Sequence, residues 1–251
     1  MSLEWLYTFD ELRAYSVDMK QGKLRLGSTI KHMPDLLETA GISLPENPKV
    51  LCLMAGSCIE GLAFAQLYKA EVTCLDVQKR MLLKGVREAK RRKLRLKTVV
   101  ADAKELTKKV KGTFDLVTIL GSPLAHLGIS DFDGVVTQVK EVLHRKGTFL
   151  VEQSDMVFRI MPYYRDAMVP NVNPPVINVH ISFNPKEGYF ERLLFGRNKQ
   201  EVSRVFLWGP WIIEYVLKKN GFSSVEVNPY ADPYLTVQPF LFTARSSWRI
   251  V

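Results

Sequence analysis

Residues 50–61 read VLCLMAGSCIEG, in which an apolar run leads directly into small residues and then into a predicted helix. The small side chains of Ala55, Gly56 and Ser57 let a ligand approach the backbone, and the free N–H groups of the following helix favour an anionic group there. Asp76 comes twenty residues after Gly56, at the end of the next apolar run. A carboxylate in that position can accept hydrogen bonds from both hydroxyls of a ribose. Order and spacing together predict a nucleoside site.

From residue 49 onward, short apolar runs alternate with longer stretches of helical period, which is typical of an open α/β sheet. The runs are nearly continuous in apolar content, as expected of buried strands. Asp131–Leu143 has an apolar stripe and two acids near its first turn, which predicts a helix that crosses over the sheet. The predicted strands are 49–54, 71–75, 96–100, 114–120, 147–153, 224–229 and 238–245.

The alternation of apolar runs and helical stretches stops after Gln153. Residues 154–178 are rich in Pro, Asn, Met and Tyr and predict an irregular insertion. A hairpin of 188–195 and 201–208 follows, with its turn at 196–199. The alternation returns with a helix that begins at Pro210 and ends at Asn220-Gly221.

The amino-terminal part has a different pattern, because Thr8–Lys20 and Gly27–Ala40 are amphipathic and predict two helices. The expected organisation is therefore a helical cap followed by one α/β domain that carries an insertion, which we expect to act as a lid over the side of the site that binds a second substrate. The expected bounds are 1–46 for the cap, 47–251 for the α/β domain and 154–209 for the insertion.

The positive charge of the chain is concentrated in one segment. Lys79–Lys97 holds ten basic residues and one acid, whereas the rest of the 251 residues has 25 bases and 25 acids. A cluster of this kind either forms a solvated helix face or docks on the phosphates of a nucleic acid. The charge therefore describes one segment rather than the whole protein.

Other composition features exclude several classes of protein. No run approaches the ~20 apolar residues of a membrane span, and the first residues lack the apolar core of a signal peptide. The expectation is a soluble cytoplasmic protein without a membrane partner. Cys52, Cys58 and Cys74 have no metal-ligand spacing and lie in or beside apolar runs, which predicts buried reduced thiols and no bound metal.

Further polar and small residues follow the third and fourth predicted strands, namely Asp102-Ala103 and Gly121-Ser122. The GxGxxG dinucleotide fingerprint fails, because aligning its second glycine with Gly56 places Met54 first and Ile59 third. In order, these strand ends resemble class I S-adenosylmethionine-dependent methyltransferases, particularly the small-molecule, glycine N-methyltransferase-like group. The resemblance covers about residues 47–245.

The resemblance implies a Rossmann-like methyltransferase fold: a doubly wound, mostly parallel sheet of seven strands with an antiparallel carboxyl-terminal strand, a helical cap and a β-hairpin insertion. It also implies S-adenosylmethionine as cofactor, S-adenosylhomocysteine as product and a small-molecule methyl acceptor. The binding residues that it implies are Met54, Ala55, Gly56, Asp76, Val77, Met81, Asp102, Ala103, Leu120 and Gly121.

Candidates for the acceptor side come from two segments. By the same resemblance, His126 in SPLAHL faces the acceptor and is the best-placed base where the acceptor must lose a proton. The alternative for His126 is a loop histidine that is hydrogen-bonded to backbone. Tyr163 and Tyr164 lie in the irregular insertion, where aromatic faces can shield a cation.

The first motif departs from the family pattern at three positions. Cys52 replaces the usual acid, Met54 the first glycine and Cys58 a later glycine. A protein that binds the cofactor without turnover is therefore one alternative to a small-molecule methyltransferase. An RNA or DNA methyltransferase that docks through Lys79–Lys97 is another, and a nicotinamide-dependent enzyme is the remaining one.

Overall fold

A computed structural model of the protein describes residues 15–158, 165, 167–168, 177–196, 199–230 and 239–245. Two sheets are present in these ranges. The larger sheet contains β1 (Lys49–Leu53), β2 (Glu71–Asp76), β3 (Leu96–Val100), β4 (Phe114–Ile119), β5 (Leu143–Ser154), β10 (Ser224–Pro229) and β11 (Pro239–Arg245). The smaller sheet contains β6 (Ala167–Met168), β7 (Ile177–Asn184), β8 (Tyr189–Gly196) and β9 (Lys199–Phe206).

The larger sheet has the strand order β10-β11-β5-β4-β1-β2-β3. The pairs between β5, β4, β1, β2 and β3 are parallel, whereas β11 is antiparallel to both of its neighbours. The order reverses between β1 and β4, so the carboxyl ends of these two strands border the crevice in which doubly wound sheets bind ligands. The predicted fold class is confirmed, including the antiparallel last strand.

Helices cover both faces of this sheet, as the near-continuous apolar strands require. The helices are α1 (Lys20–Thr39), α2 (Ile59–Tyr68), α3 (Lys79–Arg91), α4 (Leu106–Lys109), α5 (Ile129–Val142) and α6 (Pro210–Lys219). On one face, residues of α1, α2 and α3 such as Met33, Phe64 and Leu82 pack in one apolar cluster. On the other face, α4, α5 and α6 contribute to a second cluster around Phe132 and Phe149.

Of the two predicted amino-terminal helices, the first does not continue through residues 16–19, and the second begins earlier than predicted. Residues 16–19 form a turn, and one helix, α1, runs from Lys20 through the predicted second helix. Residues 8–14 of the first predicted helix lie outside the described residues. A side chain at Gly22 would meet the carbonyl oxygen of Ser16 at 1.9 Å, so this glycine lets the turn pack against α1.

The insertion contains more regular structure than the sequence analysis predicts. The predicted hairpin is confirmed as β8 and β9, but β6 and β7 precede it and make the insertion a four-stranded antiparallel sheet. Residues 177–184 read INVHISFN, and this strict alternation is typical of a strand. Its first two residues lie in the segment predicted as irregular, 154–178, and the sequence analysis predicts no element for 179–184. The ladder is irregular between His180 and Ser182, so the face that each residue presents changes along β7.

Trp208 fastens the end of the insertion to the larger sheet. Its side chain is fully buried, packs edge-on against Phe132 at 5.2 Å and donates its indole N–H to the carbonyl oxygens of Leu124 and Leu127. These two carbonyls belong to the segment after β4, so Trp208 fixes the loop that leads to α5.

None of the helices in the described ranges has the length and apolarity needed to cross a bilayer.

The Trp208→Phe variant is expected to lose about 2–4 kcal/mol of unfolding free energy, because it removes the donor to two buried carbonyls and leaves a void. Urea unfolding followed by circular dichroism measures this loss. Trp211→Phe is the matched control, because the Trp211 side chain is 59% exposed and its truncation should cost less than about 0.5 kcal/mol. Equal losses in the two variants would contradict the anchoring role of Trp208.

Candidate functional site

The loop between β1 and α2 has an unusual backbone. Met54, Gly56 and Cys58 have φ angles of 53°, 50° and 63°, so every second residue of the loop is in the left-handed region. Only glycine adopts that conformation without steric cost. The pattern that the sequence resembles has glycines at two of these positions, whereas this chain has the larger side chains of Met54 and Cys58 in the left-handed conformation.

Three hydrogen bonds hold this loop in place. The Ala55 N–H donates to the Leu75 carbonyl at 3.1 Å, and the Cys58 N–H donates to the Ala55 carbonyl at 2.7 Å. The Gly56 N–H donates to Oδ2 of Asp76 at 2.8 Å. The loop is therefore fixed to the end of β2 through both the backbone and the Asp76 carboxylate.

Asp76 is buried and connects two elements. Its Oδ1 accepts from the Gln78 N–H at 2.8 Å, while its Oδ2 accepts from Gly56. Burial raises the pKa of Asp76, and the two backbone donors partly oppose that rise. Each carboxylate oxygen keeps a further lone pair for a ligand hydroxyl. The predicted ribose position is thus a preorganised acceptor.

The side chain of Cys58 is accommodated by a neighbouring glycine. Cys58 is fully buried, and a Cβ at Gly85 of α3 would lie only 2.7 Å from both Cβ and Sγ of Cys58. The predicted burial of Cys52, Cys58 and Cys74 as free thiols is confirmed. Hydrogen bonding to Cys52 and Cys58, together with burial, raises the pKa of Cys74 well above its ordinary value. The cluster is consequently a neutral packing unit beneath the loop.

Two cavities open at the carboxyl edge of the sheet. The first, which we call the carboxylate cavity, has a volume of about 300 Å³ and extends from Asp76 and Asp102 to Phe206. The second, the loop cavity, has a volume of about 130 Å³ and lies between residues 54–57 and Gly121. Met54 and His126 line both cavities, so they stand where the two meet.

Most of the residues predicted from the sequence border these cavities. Val77, Asp102 and Ala103 line the carboxylate cavity together with Asp76. Ala55, Gly56, Leu120 and Gly121 line the loop cavity. Met81 is 2% exposed on α3 and is not among the residues that line either cavity. Tyr163 and Tyr164 lie outside the described residues.

His126 lies in a short turn of 3₁₀ helix, Pro123–His126, after β4. Burial lowers its pKa to about 4, so its imidazole is neutral at physiological pH. A neutral imidazole has one nitrogen able to accept a proton. The residue lines both cavities, at the place where they meet.

An arginine that the sequence analysis does not select lies at the far end of the loop cavity. Arg25 of α1 is 5% exposed, its Nη2 donates to Oε1 of Glu60 at 3.2 Å, and its guanidinium lies 4.2 Å from the ring centre of Tyr15. Burial alone would lower the pKa of Arg25, but its interactions with Glu60, Tyr15 and Glu152 together outweigh burial and the pKa is raised. The sequence signal that could have identified Arg25 is its position beside Leu26, as a cation on the buried stripe of a helix.

Two acids accompany this arginine. Glu60 lines the loop cavity, and Oε2 of Glu152 accepts from the Gly121 N–H at 2.7 Å. Arg25, Glu60 and Glu152 together line an adjoining recess. The end of the loop cavity therefore presents charges of both signs to a ligand.

The amino-terminal turn closes over the loop. The Val17 N–H donates to the Ser57 hydroxyl at 3.0 Å, and that hydroxyl donates to the Tyr15 carbonyl. On α3, the Lys84 ammonium lies 3.0 Å from Oδ1 of Asp18 and donates to the Ser16 hydroxyl. One of the ten bases of Lys79–Lys97 is thus an internal contact that holds this turn on the site.

The insertion sheet supplies the opposite wall of the carboxylate cavity, through residues that the sequence analysis does not select. Ser203, Arg204 and Phe206 of β9 line it. The Phe206 ring packs so closely on Gly128 that a Cβ there would lie 3.0 Å from it. Arg204 is held by Glu191 at 3.1 Å and stacks over Tyr189 at 4.8 Å.

Comparison with known proteins gives a consistent result. Residues 50–147 match the family described as "Methyltransferase domain". No curated protein matches the chain in sequence.

Solved structures are similar over nearly the whole chain. A protein from Pyrococcus horikoshii OT3 is 18% identical with a TM-score of 0.68, covering 97% of this chain and 99% of its own. An S-adenosylmethionine-dependent methyltransferase from Clostridium acetobutylicum ATCC 824 is 10% identical with a TM-score of 0.69, covering 97% and 100%. CalS10, an amino pentose methyltransferase from Micromonospora echinaspora solved with bound S-adenosylmethionine, is 17% identical with a TM-score of 0.61, covering 87% and 92%. These likenesses establish the fold.

Replacing Met54 by glycine and by alanine separates backbone strain from side-chain volume. Both variants remove the side chain, but only glycine is unstrained at the φ of 53°. We expect the glycine variant to be more stable than the alanine variant by about 1 kcal/mol, the reverse of their usual order. Urea unfolding of the two variants measures the difference. An alanine variant that is equally or more stable would show that Met54 is not strained.

The pKa of His126 has a measurable consequence. An unfolded histidine titrates near 6.5, whereas burial lowers the pKa of folded His126 to about 4. As pH falls through this interval, only the unfolded chain gains a proton at this site, so folding stability is lost. The His126→Asn variant should therefore lose less stability than the wild type between these pH values. Thermal unfolding across the range tests this, and an NMR resonance of His126 that titrates near 6.5 would contradict it.

Proposed function

Because residues 50–147 match the methyltransferase-domain family and the chain has the fold of S-adenosylmethionine-dependent enzymes, we propose that it transfers a methyl group from S-adenosylmethionine to a small-molecule acceptor. The observation that carries the proposal is the edge formed by the left-handed loop, Asp76 and Asp102. These three features border connected cavities at the switch point of the sheet. Their arrangement suits an adenosine with an amino-acid tail.

The cofactor, when bound, supplies a methyl group on a positively charged sulfur, so the leaving group is already activated. Asp76 would hold the ribose hydroxyls with its preorganised carboxylate. Asp102 is kept in place by the Lys104 N–H at 2.9 Å and would accept from the adenine amino group. Ala103 and Val77 would contact the base on either side. The chain's main tasks are then alignment and exclusion of water.

The charged end of the loop cavity fits the amino-acid tail of the cofactor. Arg25 would bind its carboxylate, since a guanidinium pairs well with carboxylate oxygens. Glu60 and Glu152 supply negative charge for its ammonium group. These acids offset the loss of the family's acid at Cys52, which is buried in the thiol cluster. This arrangement argues for retained cofactor binding despite the altered motif.

His126 is the group placed to receive a proton. An acceptor hydroxyl or ammonium must lose a proton when it is methylated, and the imidazole of His126 is neutral at physiological pH. Its position at the junction of the two cavities places it beside Met54 and Pro123. We assign it the role of base toward such an acceptor.

A small acceptor is favoured over a nucleic-acid base by the walls of the carboxylate cavity. The insertion strand β9 closes one side with Arg204 and Phe206, and the amino-terminal turn covers the loop on another. CalS10 is described as an amino pentose methyltransferase and MtfA as a glycopeptide N-methyltransferase, and both share this fold. Their acceptors make amine-bearing metabolites the first class to test.

Cofactor binding is tested by thermal unfolding with S-adenosylhomocysteine. At a hundred times its dissociation constant it should stabilise the wild type by about 2.7 kcal/mol. Asp76→Asn should lose most of this gain, because one charge-assisted acceptor is removed. Asp35→Asn, at an exposed position of α1, is the matched control and should keep the full gain. A wild type that is not stabilised would refute the nucleoside site.

Methyl transfer is tested with cofactor labelled in its methyl group. Label should enter a low-molecular-weight metabolite fraction, and His126→Asn should slow the transfer while leaving the S-adenosylhomocysteine shift intact. Label in the nucleic-acid fraction alone would favour the RNA or DNA alternative. Stabilisation by S-adenosylhomocysteine with no transfer to either fraction would favour a binding protein without turnover.

A further inference from the structure

A second cleft lies at the opposite edge of the sheet, at the amino-terminal ends of β1 to β4. Its volume is about 310 Å³. We call it the basic cleft, because its charged lining residues are Lys49, Arg95, Lys97, Lys111 and Glu71. Four cations thus face one acid, which is the reverse of the balance around Asp76 and Asp102.

The cations of the basic cleft outnumber the acids near them, which are Glu71 in the lining and Asp115, whose Oδ2 accepts from the Lys49 N–H at 2.8 Å. In the described part of the protein, none of the four takes part in an ion pair, although Lys111 donates to the Thr107 carbonyl at 2.9 Å. Other bases of Lys79–Lys97 behave differently, since Arg91 and Arg92 both bind Glu88 and lower its pKa to about 2. Unpaired cations that converge on a cleft make a site for an anion.

The basic cleft continues onto a longer surface. β3 pairs only with β2, so it is the edge strand of the sheet. Lys90 and Lys93 lead from the end of α3 to Arg95 and Lys97, and all four side chains are exposed. The positive surface therefore extends beyond the basic cleft to the end of α3.

We propose that the basic cleft binds the phosphodiester backbone of a nucleic-acid strand. A strand can enter a concave cleft between strand ends, whereas a flat bilayer would meet only its rim. The aromatic residue of the lining, Phe114, is 6% exposed and offers no stacking platform, so recognition rests on phosphate charge rather than base identity. Binding should consequently be independent of sequence and weakened by salt.

This surface is separate from the proposed reaction site. β2 has six residues, so its two ends are about 17 Å apart. A nucleic-acid strand that is bound at Lys49 and Lys97 is therefore separated from Asp76 by the full length of a β-strand. The cleft would tether the protein to a nucleic acid rather than present a base for methylation, and it goes beyond the proposed small-molecule activity.

The test measures fluorescence anisotropy of a labelled single-stranded RNA with the full chain at several salt concentrations. Arg95→Glu/Lys97→Glu should weaken binding at least tenfold and reduce the slope of log affinity against log salt by about 1.4, since each lost phosphate contact contributes about 0.7. Lys23→Glu/Lys31→Glu changes the net charge equally on the exposed surface of α1 and should have a smaller effect.

Several outcomes would overturn the proposal. These are no binding by the wild type at low salt, an equal loss in both double variants, or binding to vesicles of anionic lipid but not to RNA. The same variants are also heated with S-adenosylhomocysteine. A retained melting shift together with lost RNA binding supports the cleft. If S-adenosylhomocysteine does not shift the melting temperature of the wild type, the proposed function is refuted, and the RNA measurement alone decides on the cleft.

Discussion

The hydrogen bond from the Gly56 N–H to the Asp76 carboxylate connects the two strand ends on which the site depends. β1 and β2 run parallel in register, with Leu53 opposite Leu75, so their carboxyl ends lie side by side. One short loop must therefore turn back into α2 within a few residues. The alternating left-handed conformations make that turn, and Asp76 fixes it by binding a backbone donor that would otherwise be unpaired.

The substitutions in this loop are compensated by residues elsewhere in the chain. Cys58 replaces a glycine of the family pattern, and Gly85 of α3 leaves the space that its side chain occupies. In the same way, a Cβ at Gly61 would lie 2.5 Å from Sγ of Cys74, so α2 also approaches the thiol cluster through a glycine. The space that the cysteine side chains need is therefore left by glycines in the two helices that cover them. A motif that looks degraded in one segment is consistent with its packing partners.

The larger sheet follows from the sequence because its buried strands carry near-continuous apolar runs and their ends carry small or acidic residues. Asp76, Asp102 and Gly121 are local signals of that kind. Arg25 and Phe206 are not, since their importance comes from helix α1 and strand β9 folding back over the edge. Likewise, Gly27 reads as a break in α1, but the helix continues through it because packing outweighs the propensity of one glycine.

The basic segment shows why charge alone does not predict function. Lys84 points inward to Asp18, and Arg91 and Arg92 are bound to Glu88, so these cations stabilise contacts of the chain. Arg95 and Lys97 lie beyond α3, where no acid of the described residues forms an ion pair with them. The presence of a pairing acid, rather than the number of bases, separates the two groups. A surface role therefore belongs to the end of this segment, while its middle holds the amino-terminal turn over the loop of residues 54–58.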